Sequence, residues 1–130
     1  MDIWDYFDQW QRQCEASSLP SDTSYYAMCA ALTGSDLQGR IFGRLVISDR
    51  AFLSVSERIV IEDGRPHREE YSYYLVLDDE EVWGRDRDPT HVPPEHGHEG
   101  EEHDWIDAGA ASFQEVIDLA WETVTERGAY

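Results

Sequence analysis

Three of the five histidines in this 130-residue chain, His91, His96 and His98, fall within one short run. The run is Arg85-Asp86-Arg87-Asp88-Pro89-Thr90-His91-Val92-Pro93-Pro94-Glu95-His96-Gly97-His98. Imidazole changes charge near neutrality. One ring of such a group could take the proton of a ribose 2′-hydroxyl while another protonates the departing 5′-oxygen. Arg85 and Arg87 would hold the phosphate and the charge that grows on it. That chemistry is RNA cleavage with no cofactor. The same residues have other uses. His96 and His98 lie two apart and point the same way in an extended segment, as metal ligands on a strand do. His91, with Asp86, Asp88 or Glu95, could complete a metal site for zinc, nickel, copper or iron. The run has no cysteine and its spacing matches no strong zinc pattern, so no metal is assigned. Arg85 and Arg87 could also simply pair with the acids around them.

These groups need a scaffold, and the flanking sequence supplies one. Ile3, Tyr6, Phe7, Trp10 and Cys14 recur at helical spacing and predict an amphipathic helix over 3–15, with Asp2 as its cap and Asp5 suited to its positive end. Residues 24–33 are short, apolar and alanine-rich. They favour a helix stopped by Gly34, with an extended reading as the alternative. From Arg40 the period becomes two. Strands are expected at 41–48, 52–62, 67–77 and 81–85, separated by Ser48-Asp49-Arg50, by Asp63-Gly64 and by Asp78-Asp79-Glu80. Tyr71, Tyr73, Leu75 and Leu77 share one face of the third strand, and Ser72, Tyr74 and Val76 the other. Tyr71, Tyr73 and Tyr74 could stack on bases, or pack on the core as strand tyrosines commonly do. Residues 86–111 show no periodicity and read as a long functional loop. Ser112 and Glu115 open a second helix, on which Phe113, Val116, Ile117, Ala120, Trp121 and Val124 form one face.

The expected architecture is one α+β domain over 1–130. It has an N-terminal helical part (1–38), an antiparallel meander sheet of about four strands (39–85), the histidine-bearing loop (86–111) and a C-terminal helix (112–127) packed on the sheet. His67 and His103 read as ordinary surface residues.

Composition narrows the function classes. The chain carries 28 acidic residues against 10 basic ones, a formal charge of −18, and every basic residue is arginine. Such a charge repels itself strongly unless salt screens it. Adaptation to a salty cytoplasm explains it best, because the acids are spread over the whole chain. The competing explanation is an acidic interaction protein that mimics nucleic acid. A small histidine-based metal-binding domain is the third class. No apolar run is long enough for a membrane span, and the acidic start does not resemble a signal peptide, so a cytoplasmic protein is expected. Cys14 and Cys29 are expected to be free thiols. There is no glycine-rich phosphate loop, no Gly-x-Ser-x-Gly elbow and no His-Glu-x-x-His helix.

The order of motifs resembles the TumE family of toxin–antitoxin proteins. In that family a Tyr-Ser-Tyr strand leads to an Arg-x-Asp-Asn-x-Pro-His type segment and then to a proline-flanked histidine cluster. Here Tyr71-Ser72-Tyr73, Arg85, His91 and the pair His96 and His98 match. The family's Asp-Asn aligns with Arg87-Asp88 without a gap, or with Asp86 or Asp88 if shifted, and Thr90 stands where it has proline. The resemblance spans roughly residues 40–126. It implies a toxin paired with a small helix-turn-helix antitoxin and acting on RNA or another nucleic acid. Under that reading His91, His96 and His98 are the acid/base candidates, and Arg85, Arg87, Tyr71 and Tyr73 bind the substrate.

Overall fold

In the computed structural model, residues 1–32, 34–100, 104–106 and 109–130 are described. Helix α1 (Ile3–Glu15) is followed by strands β1 (Ser24–Ala31), β2 (Gln38–Ser48), β3 (Ala51–Glu62), β4 (Arg65–Leu77), β5 (Glu80–Arg87), β6 (Glu95–Glu99) and β7 (Asp104–Ile106), and then by helix α2 (Phe113–Glu126). The strands form one sheet in chain order, each antiparallel to the next. The α+β meander with a helix at each end is therefore as expected, and the sheet is larger. Six strands have five residues or more, and β7 has three.

Both helices form for the reasons legible in their sequences. Asp2 accepts from the Asp5 amide and Asp5 returns the bond, a reciprocal cap for α1. Ile3, Phe7, Trp10 and Cys14 are its buried stripe. Ser112 caps α2 by accepting from the Glu115 amide at 3.1 Å. Phe113, Val116, Ile117, Ala120 and Val124 are buried beneath it. Each large apolar side chain so buried stabilises the fold by about 1.5–3 kcal/mol. Trp10 stacks on Phe113 with centroids 5.3 Å apart, so the two helices meet on one face of the sheet. Gly39 permits the close approach of α1, since a Cβ there would lie 2.7 Å from Ile3 Cγ1.

Under the helices lie Ile41, Leu45, Leu53, Val55, Ile59, Tyr73 and Leu75. Among the described residues, no helix lies on the opposite face. Tight turns fix the register. Asp63 and Gly64 both take positive φ, as do Asp78 and Asp79, the geometry that two-residue hairpins require.

Three expectations are corrected. Residues 24–31 form a strand, because pairing with β2 along its whole length outweighs the helix preference of three alanines; Thr33 lies outside the described residues. The proposed N-terminal helical part to residue 38 thus contains the first strand. The long loop is also not a loop throughout. Strand β5 runs on to Arg87, and β6 and β7 extend the sheet, leaving 88–94 as the connection before β6. His103 lies outside the described residues. Both cysteines are free, Cys14 buried and Cys29 half-buried.

Candidate active site

Strands β5 and β6 pair so that Asp86 faces His96 and Gly84 faces His98. Side chains alternate along a strand, so Asp86, His96 and His98 all rise from the helix-free face. Their polar atoms converge. His98 Nε2 lies 2.9 Å from Asp86 Oδ2. His96 Nε2 is 3.1 Å from His98 Nε2 and 3.4 Å from the same carboxylate oxygen. The two rings meet edge to face at 4.8 Å. His96 is buried, while His98 and Asp86 are half-buried, so the group is reached from one side only. His91 stands at the rim, its ring centred 5.5 Å from that of His96. All three sequence-predicted histidines are therefore brought together, and Asp86 joins them.

The connection from β5 to β6 is a built turn. Asp88 accepts from both the amide and the hydroxyl of Thr90, at 2.9 and 2.7 Å. Those bonds hold its carboxyl below the usual range. The Asp88 amide donates to Pro94 O at 2.9 Å and so closes the loop. His91 Nε2 lies 3.5 Å from Asp88 Oδ2.

Glycines open the space on both sides of this hairpin. A Cβ at Gly84 would meet Glu81 Oε1 at 3.1 Å and His98 Cδ2 at 3.6 Å. A Cβ at Gly97 would meet Ile106 Cγ1 at 2.8 Å, Arg85 Nη1 at 3.0 Å and Gly84 O at 3.1 Å. The last contact is backbone and cannot swing aside. Gly97→Ala is therefore expected to destabilise the protein by about 1–3 kcal/mol. Its urea midpoint should fall measurably, and an unchanged midpoint would show that β6 relaxes freely.

A cavity of about 450 Å³ opens above the histidines. Ser56, Ser72, Arg40 and Arg58 line it together with Asp86, His91, His96 and His98. The two arginines were not singled out from the sequence as site residues. The signal was nonetheless present: Arg40, Phe42 and Arg44 alternate with Ile41, Gly43 and Leu45, so the arginines must face away from the core.

Of the four substrate-binding candidates, Tyr71 and Arg87 border the cavity, and Tyr73 and Arg85 are not among its lining residues. Tyr71 pairs with Arg87 and Tyr73 with Arg85, all on the helix side of the sheet. Tyr71 and Tyr73 are buried, with their rings stacked on one another at 5.1 Å. Tyr71 Oη accepts from the Ala111 amide at 3.0 Å. Tyr73 Oη donates to Glu57 at 2.7 Å and accepts from Arg68 at 2.9 Å. The Tyr6 hydroxyl of α1 donates to the other oxygen of Glu57. Arg85 donates to Gly84 O at 2.8 Å and to Glu99 at 3.2 Å. Arg87 borders the cavity, but its guanidinium is tied to Glu95 at 2.5 Å. The pairing with neighbouring acids thus accounts for both arginines.

Against families of known proteins, the model described as Toxin TumE matches residues 24–127. The chain belongs to the TumE toxin family. No curated protein and no solved structure matches it. TumE membership makes the protein a toxin of a toxin–antitoxin system, with an antitoxin as its partner. The TumE match begins at β1 and ends at the close of α2, so it takes in the whole sheet and the histidine hairpin. Among the described residues, no helix is long and apolar enough to cross a membrane.

Proposed function

We propose that this toxin cleaves RNA by histidine acid/base chemistry at Asp86, His96 and His98, with His91 at the rim. The observation that carries the reading is the convergence of two imidazole Nε2 atoms 3.1 Å apart on one carboxylate oxygen. Such a group holds one or two protons among three atoms, so it can accept a proton and return one at the same place. In the proposed step one imidazole takes the proton of a ribose 2′-hydroxyl. The 2′-oxygen attacks the adjacent phosphorus and the bond to the 5′-oxygen breaks. The second imidazole protonates that oxygen, leaving a 2′,3′-cyclic phosphate. Arg40 and Arg58, on the same cavity wall, offset the charge that builds on the phosphoryl oxygens. Arg85 and Tyr73 act behind the site as supports, and Tyr71 and Arg87 stand at its border. The antitoxin is proposed to be a small helix-turn-helix protein.

A second reading has its own observation. The three ligand atoms form a triangle with edges of 2.9, 3.1 and 3.4 Å. A zinc-like ion about 2.0–2.1 Å from each ligand would separate tetrahedral ligand atoms by about 3.3 Å. The test treats purified, untagged protein with a chelator, measures bound metal and follows cleavage of single-stranded RNA. The expected result is undiminished cleavage after chelation, with 2′,3′-cyclic ends and no cleavage at a 2′-deoxy position. Near-stoichiometric metal whose removal stops cleavage would replace the acid/base reading with metal-assisted hydrolysis.

A further inference from the structure

Beyond the histidine hairpin, the helix-free face carries two continuous cross-strand rows that both end at the site. In the first, Met28 faces Phe42, Phe42 faces Ser56, Ser56 faces Ser72, Ser72 faces Asp86 and Asp86 faces His96. In the second, Tyr26 faces Arg44, then come Ser54, Tyr74, Gly84 and His98. Five strand spacings separate the β1 end from β6, about 24 Å. Small serines occupy the middle of both rows. A third row, Ala30, Arg40, Arg58 and Glu70, runs alongside.

The chemistry of this face differs from that of the chain as a whole. Three of the ten arginines, Arg40, Arg44 and Arg58, stand on it, in a protein of net charge −18. Among the described residues, Arg58 makes a long contact with Glu70 at 3.9 Å, and Arg44 lies over the Phe52 ring at 4.2 Å. Large rings and a thioether are left in solvent: Tyr26 is 66% exposed, Met28 68% and Phe42 48%. Aromatic side chains beside cations in a shallow track are what a single strand needs, with stacking for bases and arginine for phosphates. A duplex could not lay its bases on such a surface.

We propose that the helix-free face of β1 to β5 is a binding track for single-stranded RNA, which leads the strand from Tyr26 and Phe42 past Arg40, Arg44 and Arg58 to Asp86, His96 and His98. The track rests on the RNA-cleaving reading for its substrate class and adds the path and the strandedness. Three arginines stand here against Glu70 and Asp86, so the acid excess of the whole chain is not carried onto these rows.

The test is a titration of wild-type protein with a fluorescently labelled 12-nucleotide 2′-O-methyl RNA of mixed sequence, which cannot undergo 2′-hydroxyl attack, alongside its duplex. Two variants are compared, Arg40→Ser/Arg58→Ser and Tyr26→Ala/Phe42→Ala, with Arg12→Ser on the exposed side of α1 as a control. The wild type should prefer the single strand. The double arginine variant should bind roughly ten- to a hundredfold more weakly at low salt, with its salt slope smaller by about 1.4. The aromatic variant should lose roughly tenfold or more. Arg12→Ser should match the wild type. Equal affinity of wild type and both double variants, equal affinity for duplex, or no binding by the wild type would overturn the track. Loss of cleavage on natural RNA is scored separately. If the variants lose binding as expected while the wild type cleaves nothing, the track stands and the cleavage reading falls.

Discussion

Replacing His98 by asparagine is expected to lower RNA cleavage by roughly a hundred- to ten-thousandfold and to relieve growth arrest when the protein is induced without its antitoxin. His98 is the more open of the two convergent rings and makes the shorter bond to Asp86, 2.9 Å. Asparagine keeps a polar group of similar reach, so the fold should persist while the proton carrier is lost. His96→Asn should fall as far, because its Nε2 shares the same carboxylate oxygen. Asp86→Asn should lose less, since it leaves both imidazoles in place and removes only the charge that orients them. His91→Ala should show the smallest decline, its ring being half-exposed and 5.5 Å from that of His96. Growth, RNA integrity and cleavage by purified protein measure the series. If wild type and His98→Asn arrest growth and degrade RNA equally, the histidine mechanism is wrong.

The second large effect lies on the other side of the sheet. Glu57→Leu is expected to destabilise the protein by about 3–5 kcal/mol. Glu57 is 1% exposed and accepts from Tyr6 of α1 and Tyr73 of β4. Without it, the buried Tyr73 hydroxyl and the half-buried Tyr6 hydroxyl lose their acceptor, and Arg68 loses the nearby charge that balances it. Burial pushes the Glu57 carboxyl above its ordinary value, against the bonds from Tyr6 and Tyr73 and the field of Arg68, which hold it down. The sign of the pH dependence follows. An acid whose folded value is raised binds its proton more tightly in the folded state. Its contribution is therefore full below the unfolded value, about 4.3, and is lost as pH rises through the raised folded value. Stability of the wild type should carry that decline, and Glu57→Gln should remove it. Urea midpoints across a pH series decide the matter; identical slopes for the two proteins would exclude Glu57 as the source.

How far the sequence could be read depended on whether the signal was local. The helices were legible because a single face supplies both periodicity and cap, as in Ile3 to Cys14 and Phe113 to Val124. The hairpins from β2 to β5 were legible through their turns. Strand β1 was not, because Ala27, Ala30 and Ala31 prefer helix and only pairing with β2 makes them extended. Strand β6 was hidden behind Pro93-Pro94, and Glu-His-Gly-His has little intrinsic strand preference. The site divided along the same line. Clustering in sequence found the histidines. The arginines nearest them in the chain, Arg85 and Arg87, are tied to acids, whereas Arg40 and Arg58 come from strands two and three and reach the cavity through pairing. The face of Tyr71 and Tyr73 could have been judged from the chain alone, since both alternate in step with Leu75 and Leu77.

Asp86, His96 and His98 owe their meeting to one ladder between β5 and β6, while α1 and α2 rest mainly on β1 to β4. A shift of that ladder by a single residue would turn Glu95, Gly97 and Glu99 toward the open face in place of the two imidazoles. The cost would fall on the last hairpin, where Gly97 is closely packed, and not on the strands beneath the helices. Reactivity and foldability are thus inherited in separate stretches of the chain. A lineage could silence this protein by one insertion or deletion near its last hairpin and still pass on a chain that folds.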